Sequence, residues 1–243
     1  MPLAIQYSCQ PETGAPRSLT SAAIRAVAAQ VRAQVARNPD SLSLTTPALL
    51  QASQRVVVNG RAMSVVWDLA HAVHDEAGRP VLGICATEPD EPGCAYVSVN
   101  AKLTANRPDL ELSTAAHELG HVLFDVPAAL HAGCALYRAV AASAAALERQ
   151  SRGAEGRANE FMGALLTPPV ALHTRMLALA RNEGMRFARG PHQGRPGSPI
   201  LSTENPPEVI GGLLAALSCE FGVSDRFVEV RLRRYGLLQE SRI

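Results

Sequence analysis

The sequence predicts an α+β fold, with a small, mostly antiparallel sheet in the first half and a helical C-terminal half. Three observations carry this. Between residues 55 and 100 the apolar residues come in short strand-like runs joined by turn signals. From Ser113 onward they recur mainly at helical spacing. Hydrophobic residues make up 47% of the 243-residue chain and charged residues 19%, enough apolar material for a buried core and far from a disordered composition.

Residues 1–18 hold Pro2, Pro11, Gly14 and Pro16 and are expected to form a flexible arm. Thr20 then offers an N-cap, and Ile24, Val27, Val31 and Val35 share one helical face until Asn38-Pro39 ends the pattern. Pro47–Gln54 adds a short helix. Arg55–Val58 and Arg61–Trp67 flank Asn59-Gly60, the strongest short hairpin signal, and strand-like runs follow at Pro80–Thr87 and Cys94–Asn100. Short connections favour antiparallel pairing. Helices are expected at Ser113–Val126, over the Ala-rich span 129–150, at Glu155–Thr167 and at Pro169–Arg181, with Pro127 and Pro168-Pro169 as stops. The Pro/Gly-rich stretch 182–206 reads as a flexible loop, and Pro207–Phe221 and Ser224–Tyr235 as two closing helices. Domain boundaries follow: an arm over 1–18, a main domain over 19–181, a loop over 182–206 and a helical lobe over 207–243.

Lys plus Arg number 23 against 22 Asp plus Glu, a net charge of +1, which lends no support to general binding of nucleic acid or acidic membrane. No apolar run reaches the roughly 18–20 residues of a membrane helix, and no signal peptide is visible. Five cysteines without a Cys-x-x-Cys resemble buried thiols of a reducing cytoplasm more than a disulfide framework or zinc knuckle. A cytoplasmic location is therefore expected.

The chemistry concentrates in His117-Glu118-Leu119-Gly120-His121. Residues four apart share a helix face, so both imidazoles can reach one ion from one rigid element. Glu118 is rotated by about 100° and falls beside that ion, where a general base belongs. Leu112, Leu119, Val122 and Leu123 supply a core side. Catalytic zinc takes three protein ligands and keeps one position open. A third His six residues on is excluded, because Pro127 stands there. Carboxylates at Asp125, Glu148, Glu155 and Glu160 remain. Glu155 fits best, with Asn159 one turn later on the same face to hold a ligand imidazole, and Glu148 is the runner-up. Glu160 points away from Glu155, toward solvent. Zinc so held lowers the pKa of a bound water to about 7, and Glu118 is placed to take its proton. Tyr137, His131, His173, Arg157 and Tyr235 are eligible to stabilise the oxyanion.

The helix His117–His121, followed by Glu155-Gly156-Arg157-Ala158-Asn159-Glu160-Phe161 and Leu165-Leu166-Thr167-Pro168, resembles the paired signatures of the ImmA/IrrE-type metallopeptidases. The approach Tyr96–Asn100 and the tail Phe221–Leu238 are similar too, so the resemblance spans about residues 55–238. It implies a zincin-like domain, one zinc ion on His117, His121 and Glu155, Glu118 as catalytic base, and a narrow protein substrate such as a helix-turn-helix repressor cut in a stress response. The chain departs from the family pattern at Asp125, where His is frequent, and in the length of the stretch between His121 and Glu155. A substrate strand is expected to pair along Tyr96, Val97, Ser98, Val99 and Asn100, if that strand forms the sheet edge. Two other readings compete. The tail, with Arg226, Arg231, Arg233 and Arg234, resembles a DNA-binding helix-turn-helix. A zinc-bearing scaffold or sensor without turnover is the other, against which the retained Glu118 argues. Cys9 is a further candidate, as a cap on the open metal position.

Overall fold

The computed structural model describes residues 1–36, 38, 41–141, 149–192 and 195–239. Pro39, Gly194 and residues 142–148 of the Ala-rich span, Glu148 among them, lie outside the described residues. The chain divides into two units, Met1–Leu165 and Leu166–Ile243. That boundary falls ahead of the one expected near residue 181.

In the first unit the order is β1 (Leu3–Ile5), α1 (Ser21–Val35), α2 (Thr46–Ser53), β2 (Arg55–Val58), β3 (Arg61–Asp68), β4 (Val81–Thr87), β5 (Cys94–Val99), α3 (Ala101–Thr104), α4 (Pro108–Phe124), α5 (Val126–Ala132), β6 (Leu136–Ala141) and α6 (Arg149–Leu166). Local chemistry sets several of these ends. The Thr20 hydroxyl accepts the Ala23 N–H at 3.2 Å and caps α1, while Thr45 does the same for α2. Asn59 and Gly60 take φ of 50° and 85°, the positive pair that a two-residue turn between β2 and β3 demands. Helix α4 begins at Pro108, a full turn ahead of the expected start at Ser113, because proline is pre-shaped for the first helical turn and lacks only an N–H that no residue there could pair.

The sheet runs β1-β2-β3-β5-β4-β6, with β1–β2 and β3–β5 parallel and the other three pairs antiparallel. Three expectations are corrected. Residues 1–18 are no free arm: β1 joins the sheet, and Leu3 and Ile5 are buried against it. Part of the Ala-rich span forms β6 instead of helix. Strand β5 lies between β3 and β4 and so is interior. Tyr96, Val97 and Ser98 have both edges occupied, Val99 is paired with Gly83, and Asn100 is spent capping α3, so this strand cannot receive a substrate chain. Helix α4 packs on β4 and β5 with Leu119, Val122, Leu123 and Phe124 in the core.

The second unit contains α7 (Pro169–Asn182), β7 (Phe187–His192), β8 (Arg195–Leu201), α8 (Pro207–Phe221) and α9 (Asp225–Arg234). The expected loop over 182–206 is largely an antiparallel hairpin of β7 and β8. Its prolines are tolerated because each strand of a two-stranded ribbon has an edge on which no N–H is required. Leu172, Met176, Leu213, Leu217, Phe221, Val228 and Leu232 are among the buried apolar residues of the second unit. Among the described residues, no single helix is long and apolar enough to cross a membrane.

Candidate metal centre

The two imidazoles of α4 turn inward together. His117 Nε2 and His121 Nε2 stand 3.1 Å apart, which follows from their i,i+4 spacing. Helix α6 brings Glu155 to them: Oε2 is 3.2 Å from His117 Nε2 and Oε1 is 3.2 Å from His121 Nε2. Zinc–nitrogen and zinc–oxygen bonds of about 2.0–2.1 Å at tetrahedral angles separate donors by about 3.3 Å. Three corners of such a site therefore already exist in the side chains. These three residues are the one group among those described whose donor atoms cluster as a cation site requires. The helices approach closely because Gly120 has no side chain; a Cβ there would lie 2.9 Å from Ala158 Cα. Phe124 and Phe161 meet edge-on beside that contact.

Glu118 follows His117 on the helix and faces β4. It is fully buried, and neither carboxylate oxygen has a hydrogen-bond partner in the protein. A buried carboxylate in that state is costly unless something outside the protein answers it. Burial pushes its pKa up to about 8. Space for it comes from Gly83 of β4, where an added Cβ would clash with Glu118 Oε1 and stand 2.9 Å from Thr114 Cγ2. Burial likewise lowers His117. For His121, burial is outweighed by hydrogen bonds to Asp125 and Glu155, which raise it to about 9. Burial of Glu155 is outweighed in the same way by His117 and His121, which hold its pKa far below the usual carboxylate range.

Each imidazole has a further partner. The His117 ring hydrogen-bonds the Asn159 side chain. His121 Nδ1 lies 2.7 Å from Asp125 Oδ2, and Arg157 donates to Asp125 Oδ1 at 2.6 Å. Asp125 thus touches a ligand from behind and does not join the donor cluster. The sequence marked Asp125 as a candidate ligand and as a departure from a pattern, not as a partner of His121, yet it stands four residues after His121, the same spacing that links His117 to His121. Gly83, too, had a readable signal, since a glycine inside a strand pattern marks close backbone approach.

The other candidates lie elsewhere. Glu160 is buried and not solvated: it forms an ion pair with Arg25 of α1 at 2.6 Å. Tyr137 donates to the His74 carbonyl at 3.4 Å, and His131 lies beside Arg61. His173 and Tyr235 belong to the second unit, where they bond the carbonyls of Pro199 and Thr167. Cys9 is a free, half-buried thiol outside the donor group. Comparison with protein-family models, with curated proteins and with solved structures returned no match to this chain.

Proposed function

We propose that this chain is a zinc-dependent endopeptidase with a zincin-like catalytic domain. The observation that carries the proposal is the set of three donor atoms at 3.1–3.2 Å with a buried, unpartnered glutamate beside them. Two imidazoles and a carboxylate suit zinc, and a structural site would have no use for the fourth residue. Bound there with one position open, the ion would supply Lewis-acid polarisation of a carbonyl and acidify a water.

The protein's own groups do the rest. Glu118 sits one residue from a ligand with its carboxylate desolvated and unpartnered; a cation bound beside it would favour the ionised form, which could take a proton from the attacking water and return it to the leaving amine. Asn159 and Asp125 fix the two rings. Gly83 keeps the base close to β4.

The resemblance of residues 117–121 and 155–168 to the ImmA/IrrE-type signatures supports a regulatory protein as substrate, with a helix-turn-helix repressor the leading candidate and a cytoplasmic setting. The competing DNA-binding reading is disfavoured by its own cations. Arg231 is 3% exposed, and Arg226 and Arg233 both bond Glu229.

The test combines elemental analysis with protein-terminus profiling. Wild type and Glu118→Gln should each hold one zinc, and Glu155→Ala none. New protein termini should arise in cells expressing wild type and be missing with Glu118→Gln. Identical termini from both would rule out the mechanism, and a zinc-free wild type would rule out the metal centre.

A further inference from the structure

The two ligand imidazoles are braced unequally. The further partner of His117 is a neutral amide, Asn159. Behind His121 stands a carboxylate, Asp125, and behind that a guanidinium, Arg157. A charged acceptor makes a hydrogen bond roughly twice as strong as a neutral one. The local backbone explains how Asp125 comes to be there. Pro127 lacks the N–H that would continue α4, so the helix ends at Phe124, and Asp125 sits at the joint between α4 and α5 with its N–H on the His121 carbonyl at 2.8 Å. Arg157 is two residues beyond Glu155 on α6. The helix that delivers the ligand carboxylate therefore also delivers the cation.

We propose that Asp125 and Arg157 form a charged brace that fixes His121 as a metal ligand and sets how tightly the centre holds its ion. The inference rests on the metal reading above and adds positioning residues to it. An Asp125 carboxylate 2.7 Å from Nδ1 requires the proton on that nitrogen, which leaves the Nε2 lone pair turned toward His117 and Glu155. Without the brace, the ring can place its proton on Nε2 and close the 3.1 Å gap to His117 as an ordinary hydrogen bond, a state with no free lone pair on one of the two rings. Arg157 has a second task. Asp125 is 8% exposed, and a carboxylate so buried needs a partner charge to remain ionised beside a ligand.

The experiment is a zinc titration of the full-length protein against a competing fluorescent chelator. Asp125→Asn keeps the size and one acceptor oxygen and should weaken zinc binding about 10- to 100-fold, with Asp125→Ala at or beyond the upper end. Arg157→Met should weaken it about tenfold, Arg157→Lys should recover part of that loss, and Arg157→Met should add almost nothing on the Asp125→Ala background. Urea unfolding of each metal-free variant shows whether the helices persist, and the isosteric Asp125→Asn decides if Asp125→Ala does not fold. Zinc affinity of folded Asp125→Asn within twofold of wild type would overturn the brace. So would additive losses in the double variant, or a loss as complete as that of Glu155→Ala, which would make Asp125 a ligand. Wild-type protein that binds no zinc would remove the metal centre and the brace together, an outcome distinct from the others.

Discussion

Replacing Glu118 with glutamine should make the metal-free protein progressively more stable than wild type as the pH rises. The wild-type carboxyl is fully buried without a partner, and burial raises its pKa from 4.5 to about 8. Below pH 4.5 it is protonated whether the chain is folded or not, so it contributes no pH-dependent difference. Between 4.5 and 8 the unfolded chain ionises it and the folded chain does not, so stability is lost as the pH climbs. Each pH unit in that window is worth about 1.4 kcal/mol, so the variant should gain about 3 kcal/mol on wild type between pH 5 and pH 7.5. The buried glutamine amide adds a cost of its own, but one that does not vary with pH. His121, raised to about 9, loses stability in the same direction above 6.5, and Glu155, depressed, loses it only as the pH falls below the usual carboxylate range. The Glu155 background is shared by the two proteins and largely cancels in the comparison, whereas the Glu118 charge contributes to the rise of His121, so that background is only partly shared. The assay is urea unfolding in excess chelator at intervals from pH 5 to 8. Saturating zinc should flatten the divergence, since a nearby cation favours the carboxylate. Parallel stability curves without metal would refute the claim that Glu118 is an uncompensated buried acid.

Three further substitutions probe the packing that builds the site. In Gly120→Ala the new Cβ meets the Ala158 backbone at 2.9 Å, which cannot yield as a side chain could; α4 and α6 should part, with a loss of about 1–3 kcal/mol in urea unfolding and weaker zinc binding. An unchanged zinc affinity would mean that the close approach does not position Glu155. In Gly83→Ala the obstruction is the far end of the Glu118 side chain, so zinc should still bind while hydrolysis falls about 100-fold from a base displaced by an ångström; equal losses of both would point to general disruption. Arg25→Ala removes the ion pair with Glu160, which is 1% exposed, and should cost about 1–3 kcal/mol of stability with zinc stoichiometry intact. A loss below 0.5 kcal/mol, taken as roughly the noise of a surface change, would show that the pair does not hold α1 to α6.

The parts of the site that could be read in advance are those governed by spacing along one helix. His117 and His121, or Glu155 and Asn159, share a face whatever the rest of the chain does, and Asn59-Gly60 closes its turn by local backbone preference alone. Glu160 shows where that rule stops. Five residues from Glu155 it does point away from His117 and His121, but the far side of α6 meets α1 and Arg25 instead of water. Periodicity gives the angle between two side chains and says nothing about how many faces of a helix are covered.

Strand neighbours are the harder case, because pairing joins residues far apart in the chain. Tyr96–Asn100 reads as a strand and is one, yet its place in the sheet depends on where β3 and β4 lie, and both of its edges are filled. The strand facing Glu118 is β4, as Gly83 over its carboxylate requires, and its outer edge is taken by β6, whose alanines suggested a helix. Helix propensity is worth a few tenths of a kcal/mol per residue, less than the ladder of hydrogen bonds that Leu136–Ala141 makes with Val81–Thr87. Since β6 arises between α4 and α6, the segment separating His121 from Glu155 does more than connect them. It forms the edge of the sheet next to the strand that faces Glu118. A polypeptide approaching Glu118 by strand addition must therefore pair with β6 or take its place along β4.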